Sequence, residues 1–406
     1  MMVLLLKTSL GQLYHHNINM STLKVDNIRH NNATSDAITM ASDGTCTAKM
    51  TSVGGGQLSH RNLIMNGKAL VFQRFLPGSM VTVNNGNNNY CMDRWYGRGE
   101  SSKGVFTFHQ HDIESQGQGA HAALRVNVTT TSTPSTNDVY KVAQRIEGRN
   151  MDGLGFGTSA AKTITLSFLT KSSETGTHGG SIMNGAQDRS YPFTYTISSP
   201  DTWEQKSITI PGDTSGTWNY SGTGLEVNFD MGTAESNYRR PAGSWYNGRA
   251  EGADGAVQLI TQSGANWYAT KIQLEVGDTA TSYENIPYSE ELSRCQRYYY
   301  IMRGDNNKTY MIGMSDNDNQ NIYGFFHFPV LMRTAPSSLD QSGNASHYKV
   351  RRDTTQTCTS APSFVDAMPF YARVNFPRSG HGWGTGQMLW CQGGSNESYL
   401  GFSAEL

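Results

Sequence analysis

The chain has 406 residues, room for two or three domains at ~100–200 residues each. Its 32 basic and 33 acidic residues leave a net charge of -1, which excludes nucleic-acid binding through bulk positive charge. Only 16% of residues are charged, so this is no disordered polyelectrolyte; 43 glycines among abundant Ser, Thr and Asn describe a chain that turns often and holds little helix.

Near the start, the apolar run from Val3 to Leu6 is cut by Lys7 and is too short for a signal sequence, and no later apolar stretch could span a bilayer. Residues 1–19 have no periodicity, and Met20 opens a more protein-like run. Either Met20 is the natural start or the leader is an attachment arm. Within 20–56, residues 23–28 and 37–40 read as short strands separated by Asn/Ser/Asp turns, and the glycines 54–56 read as a hinge. So few apolar residues cannot bury a core, so residues 1–56 are expected to be stable only when paired with copies of themselves or docked on something larger. Cys46, Cys91, Cys295, Cys358 and Cys391 form no Cys-x-x-Cys pair, which suits folding in a reducing cytoplasm.

Residues 57–285 read as strand after strand. Segments 163–170, 193–197, 206–210 and 271–276 alternate with period two, which places apolar side chains on one sheet face and polar ones on the other. Eight to ten strands in this length, with almost no helical period, predict a β-sandwich. Residues 286–302 hold a helical connector over 289–298, with Ser289 as N-cap, acidic residues in the first turn, and Leu292, Cys295 and Tyr299 on one face. Residues 303–406 return to short strands at 321–328, 371–376, 387–391 and 399–406, and predict a second, smaller sandwich. The fold class is therefore all-β, with two jelly-roll-like sandwiches joined by a short helix and a small N-terminal β segment.

Several segments, taken in order, carry a resemblance. These are Asn62-Leu-Ile-Met-Asn-Gly, Asp93-Arg-Trp-Tyr, Val142-Ala-Gln-Arg-Ile-Glu-Gly, Ile272-Gln-Leu-Glu-Val-Gly-Asp, the stretch from Tyr288 to Tyr299, Phe328-Pro-Val-Leu-Met-Arg and the final Ala404-Glu-Leu. The chain resembles bacteriophage tail fibres with carbohydrate-binding-module-like jelly rolls, and Ser21-Thr-Leu-Lys-Val-Asp-Asn-Ile resembles the N-terminal segment of tail proteins from marine and cyanobacterial phages. The resemblance implies a galactose-binding-like jelly roll in a homotrimeric virion protein. It implies attachment to host polysaccharide or lipopolysaccharide, docking on other virion proteins through the N-terminal segment, and assembly in the host cytoplasm.

No catalytic constellation is expected. His109 and His111 could share a strand face with Glu114 nearby, but the spacing misses a cupin-like pattern by one residue, and outward-facing surface histidines are the simpler reading. The Asp/Asn-rich 316–321 lacks glycine at the sixth position of a calcium loop (Asn321) and glutamate at the twelfth (His327); a solvated hairpin tip is expected, with an irregular structural calcium site as the alternative. Asp112 with Glu114 and Asp316 with Asp318 are the closest acidic pairs, and no nucleophile or phosphate motif accompanies them. Among 7 Trp and 20 Tyr, two loops have the flat-aromatic-plus-amide composition that sugars require. One holds Trp245, Tyr246, Asn247 and Arg249; the other holds Trp383 between glycines. Trp95 and Trp267 are assigned to cores, and the tyrosines 298–300 to packing between domains. The expected function is non-enzymatic glycan attachment within a virion. A capsid-decorating or head-fibre protein and a glycan depolymerase are the alternatives.

Overall fold

Period-two alternation becomes two packed sheets between residues 81 and 276 of the computed structural model, which describes residues 27–28, 38–40, 42, 46–48, 60–75, 78–100 and 103–406. Residues 1–58 and 59–406 form two compact units. In the first, Asn27–Ile28, Ile38–Met40 and Cys46–Ala48 pair antiparallel, and Ile28 and Met40 stay exposed, as expected of strands too few to enclose a core. The leader, Met20 and the glycines 54–56 lie outside the described residues. Among the described residues no helix is long and apolar enough to cross a membrane.

In the second unit, a six-stranded sheet runs in the order Glu204–Ile210, Ile164–Ser172, Asn266–Val276, Ala122–Thr130, Val105–Asp112, Val81–Val83. A seven-stranded sheet runs Tyr246–Asn247, Arg189–Ile197, Gly176–Asn184, Thr223–Asp230, Lys141–Glu147, Trp95–Arg98, Asn89–Tyr90. There are more strands than the eight to ten expected, because edge pieces of two or three residues carry no periodic signal. Inward side chains from both sheets, among them Phe108, Val126, Leu166, Ile182, Val227 and Phe229, form one core. Trp95 and Trp267 both lie fully within it, as expected; Trp267 stands 5.1 Å from Phe229 and donates its indole N–H to Tyr195 Oη at 2.9 Å.

The segment 271–276 belongs to a longer strand, Asn266–Val276, that a bulge divides. Lys271 takes a left-handed φ of 50° there, and two residues oppose one on the neighbouring strand. The extra residue restores the phase, so Trp267 and Ala269 before it and Ile272 and Leu274 after it all face the core.

Residues 299–406 build a second core between a three-stranded sheet (Tyr299–Gly304, Ser398–Ser403, Ser338–Gln341) and a seven-stranded one. The latter has the order Thr355–Thr357, Tyr348–Arg351, Met388–Gly393, Thr309–Ser315, Ile322–His327, Tyr371–Asn375, Ser363–Met368. The connecting helix is Tyr288–Gln296, shorter than expected and begun by Pro287 in place of a Ser289 cap. Proline's fixed φ suits a helix start, and its missing N–H is no loss there. Glu290 and Glu291 occupy the first turn as expected, but the docked face is Glu291 and Cys295, and Tyr299 already opens the next strand.

The polar residues of the segments that carry the resemblance prove to be fasteners. The Asn62 side chain bridges Ile64 N–H and the Ile272–Leu274 backbone. Asn66, at φ 54°, bonds Val71 and the Asp93 carbonyl, and a Cβ on Gly67 would meet the Ile272 carbonyl at 2.2 Å. Gln144 exchanges two hydrogen bonds with the Met65 backbone, and Glu147 accepts from Arg297 and Tyr298. The Asp93–Tyr96 turn sends four side chains four ways: to Gln73, to Glu405, into the core, and to Glu226.

Candidate functional site

The loop carrying Trp245, Tyr246, Asn247 and Arg249 lies at one edge of the seven-stranded jelly-roll sheet. Trp245 is half-buried in an aromatic group with Trp218 (5.6 Å), Phe156 (5.9 Å) and Tyr191 (5.3 Å), and donates to the Pro211 carbonyl at 2.8 Å. Tyr246 and Asn247 pair as an edge strand with Ser190 and Arg189. Arg249 donates to Glu251 at 2.6 Å and lies over the Tyr238 ring. Glu251 is fully buried and also holds Lys141 at 2.9 Å and Asn228 at 2.7 Å; Lys141 in turn pairs with Glu226. Arg249 therefore ties its loop to a buried charge network. Trp383, half-buried, stacks on His381 at 5.4 Å and packs against the C-terminal core. The first four residues thus sit on the jelly roll and the fifth on the other sandwich.

The remaining sequence candidates are tied locally. His109 is buried, unlike the surface position expected, and burial pushes its pKa down to about 4; His111 rests on Tyr268. Glu114 pairs with His121 at 3.3 Å. Asp112 accepts from Glu114 N–H, and Asp318 from the Gln320 and Asn321 amides, so both act as turn caps. Among the described residues, no group of three His, Cys, Asp or Glu is placed to hold a metal ion.

What sequence reasoning missed lies where the two sandwiches meet. A cleft of about 540 Å³ opens between segments 74–90 of the jelly roll and 339–341 of the second sandwich. Tyr90 and Tyr399, both half-buried, and Phe75 give it aromatic surface, while Asn88, Asn89, Asp340 and Gln341 give it amide and carboxylate groups. Its floor is Arg74, whose guanidinium centre lies 3.6 Å from the Tyr299 ring centroid and 4.9 Å from that of Tyr90. Arg74 pairs with Glu405 at 3.1 Å and Asp340 at 3.6 Å. Burial alone would lower its pKa, but Glu405 and the neighbouring acidic groups more than offset that and raise it. Burial holds the Tyr90 and Tyr299 hydroxyls far above the usual phenol range, so both stay neutral. The sequence signal for this cleft is the asparagine-rich run 84–89 ending in Tyr90.

Residues 404–406 lock the cleft's walls together. Glu405 accepts from both Arg74 and Arg94, the Leu406 carbonyl from Arg145 at 2.6 Å, and the Ala404 carbonyl from Arg333 at 2.9 Å. The Arg94 guanidinium also lies 3.5 Å from the Tyr298 ring centroid. Tyr298 and Tyr299 thus pack between the sandwiches, as expected, whereas Tyr300, expected there too, faces the other side of its strand and stacks on Phe326 (5.3 Å) in the C-terminal core.

No family model matches the chain, and no curated protein matches it. Among solved structures it is similar to the enzymatically active domain of tailspike protein 4 from bacteriophage CBA120, at 11% identity over 56% of this chain and 24% of that one, with a TM-score of 0.29. The chain thus spans about a quarter of that tailspike chain. It is similar to TmCBM61 in complex with beta-1,4-galactotriose, at 11% identity over 53% of this chain and 99% of that one, TM-score 0.26. It is also similar to the family 11 carbohydrate-binding module from Clostridium thermocellum, at 13% identity over 50% and 98%, TM-score 0.24. Likeness at this level says nothing of ligand or activity.

Proposed function

We propose that the chain is a virion attachment protein that binds a host-surface glycan in the cleft between its two sandwiches, as a homotrimer docked through its N-terminal unit. The observation that carries the glycan reading is the cleft lining. Half-buried tyrosine rings present flat apolar surface to the C–H face of a sugar, and Asn88, Gln341 and Asp340 stand beside them for its hydroxyl rim. The ordered segments that resemble tail fibres support the virion part. Three equivalent clefts on one particle protein gain by avidity, so millimolar affinity per cleft suffices. The lining supports binding: its carboxylate, Asp340, is engaged by Arg74.

Titration calorimetry of the full chain against host polysaccharide and lipopolysaccharide fragments tests the reading. Tyr399→Ala and Asn88→Ala are expected to weaken binding at least tenfold. Undiminished affinity in both variants, or no binding by the parent, removes the cleft from the account. Labelling of intact particles with antibody to this chain tests the virion part, with signal at the tail expected and an unlabelled particle refuting it.

A further inference from the structure

The C-terminal seven-stranded sheet buries one face and carries an apolar patch on the other. On its outer face Trp390 pairs with Ile312, Ile312 lies beside Phe325, and Phe325 pairs with Arg373; in the adjacent row Met388 pairs with Met314. These five apolar side chains come from three neighbouring strands and are each 46–65% exposed. Isolated exposed apolar residues are ordinary, whereas five in register form one patch, leaving on the order of 550 Å² of apolar side chain in water.

From this we infer that the outer face of the C-terminal sheet packs against a second copy of the chain. The inference deepens the homotrimer reading above, on which it rests, by naming the surface that assembles. Area is the first argument. A stable interface removes about 800 Å² from each partner, roughly two thirds of it apolar at its centre, and the five side chains supply that apolar share. Composition is the second. Trp, Phe, Met and Arg are the residues enriched at protein interfaces, and of the five only the Trp390 indole N–H can hydrogen-bond, which leaves little for a sugar's hydroxyls. Charge is the third. Arg351, paired with Trp390 and 5.8 Å from its ring, and Arg352 with Asp353 (3.4 Å) border one end of the patch and Arg373 with Asp366 (2.5 Å) the other, so each end carries both signs, with an excess of positive charge beside Trp390 for a neighbouring carboxylate to meet. Beside Trp390 a hollow of about 350 Å³, walled by Ile312, Arg352, Asp353 and Met388, has room for one large side chain of the neighbouring copy.

The test is the solution mass of the full chain by light scattering at micromolar concentration. The parent is expected at three times the chain mass and the Ile312→Glu/Phe325→Glu double variant at one, with an unchanged circular dichroism spectrum. Met388→Lys, at the most exposed of the five, is expected to lower the mass as well, and decides the matter should the double variant not fold. Variants that keep the parent's trimeric mass overturn this face and leave trimerisation to other surfaces. A monomeric parent overturns both the face and the homotrimer reading.

Discussion

Replacing Glu405 with glutamine removes the charge that two buried arginines share. The Arg94 side chain is 2% exposed and Arg74 9%, while Glu405 itself is 6% exposed. Arg74 keeps a second carboxylate, Asp340, at 3.6 Å. Arg94 keeps only the Arg145 carbonyl and the face of Tyr298, neither of which carries an opposing charge. One uncompensated buried cation therefore sets the magnitude, and Glu405→Gln is expected to cost about 3–5 kcal/mol. Because a well-packed apolar pair avoids that penalty, Arg94→Met combined with Glu405→Leu is expected to cost less than Glu405→Gln alone. Urea unfolding at neutral pH followed by tryptophan fluorescence measures both. A loss below about 1 kcal/mol for the single variant is what an exposed ion pair gives, and would refute the reading of residues 404–406 as the lock between the sandwiches.

Three further outcomes follow from the same geometry. Burial raises the Asp93 pKa to about 6 against an ordinary value of 3.8, with Arg74 and Gln73 opposing. The folded state thus holds the proton more tightly, so this group's contribution is complete below pH ~4 and is lost as pH rises through ~6, by roughly 3 kcal/mol in total. The difference in unfolding free energy between the parent and Asp93→Asn across that window should show it, and a difference that is flat or of opposite slope rejects it. Trp245→Ala is expected to lower stability by about 2–3 kcal/mol through loss of the Phe156, Trp218 and Tyr191 contacts, with glycan affinity intact; a variant of parent-like stability that no longer binds glycan would return Trp245 to the ligand. At Lys271, glycine adopts the left-handed backbone freely and a β-branched residue does not. Thermal melts should therefore leave Lys271→Gly near the parent and place Lys271→Val about 1–3 kcal/mol below it, and the reverse order would refute the bulge.

Much of the architecture is written locally. Alternation along 163–170 and 193–197 depends on neighbouring residues, so the strands and the all-β class are legible before any folding is known; the core position of Trp267 follows from the alternating strand it precedes, and that of Trp95 from the resemblance its segment carries. The helix shows how far that goes: its acidic first turn is visible, but Pro287 rather than Ser289 begins it, because a serine side chain competes for a cap only where the backbone geometry lets it. The two-residue edge strands, too short for any period, were hidden for the same kind of reason.

Aromatic composition in a loop is likewise a local fact, and it cannot say whether a ring meets solvent or a neighbouring core. Trp245 has both the glycine-bounded setting of a ligand-binding ring and, in three dimensions, Trp218 and Tyr191 against it. The cleft is further still from the sequence. Asn88 and Tyr90 meet Asp340 and Tyr399 only after two sandwiches fold and Glu405 joins them. Side-chain alternation acts over neighbouring residues, and it is enough to set the strands, their buried faces and the all-β class. Which aromatic rings stay in water and which polar groups share a cleft is set by folding, because Trp245 is covered by residues 27 to 89 positions away and the cleft joins segments some 250 to 325 residues apart.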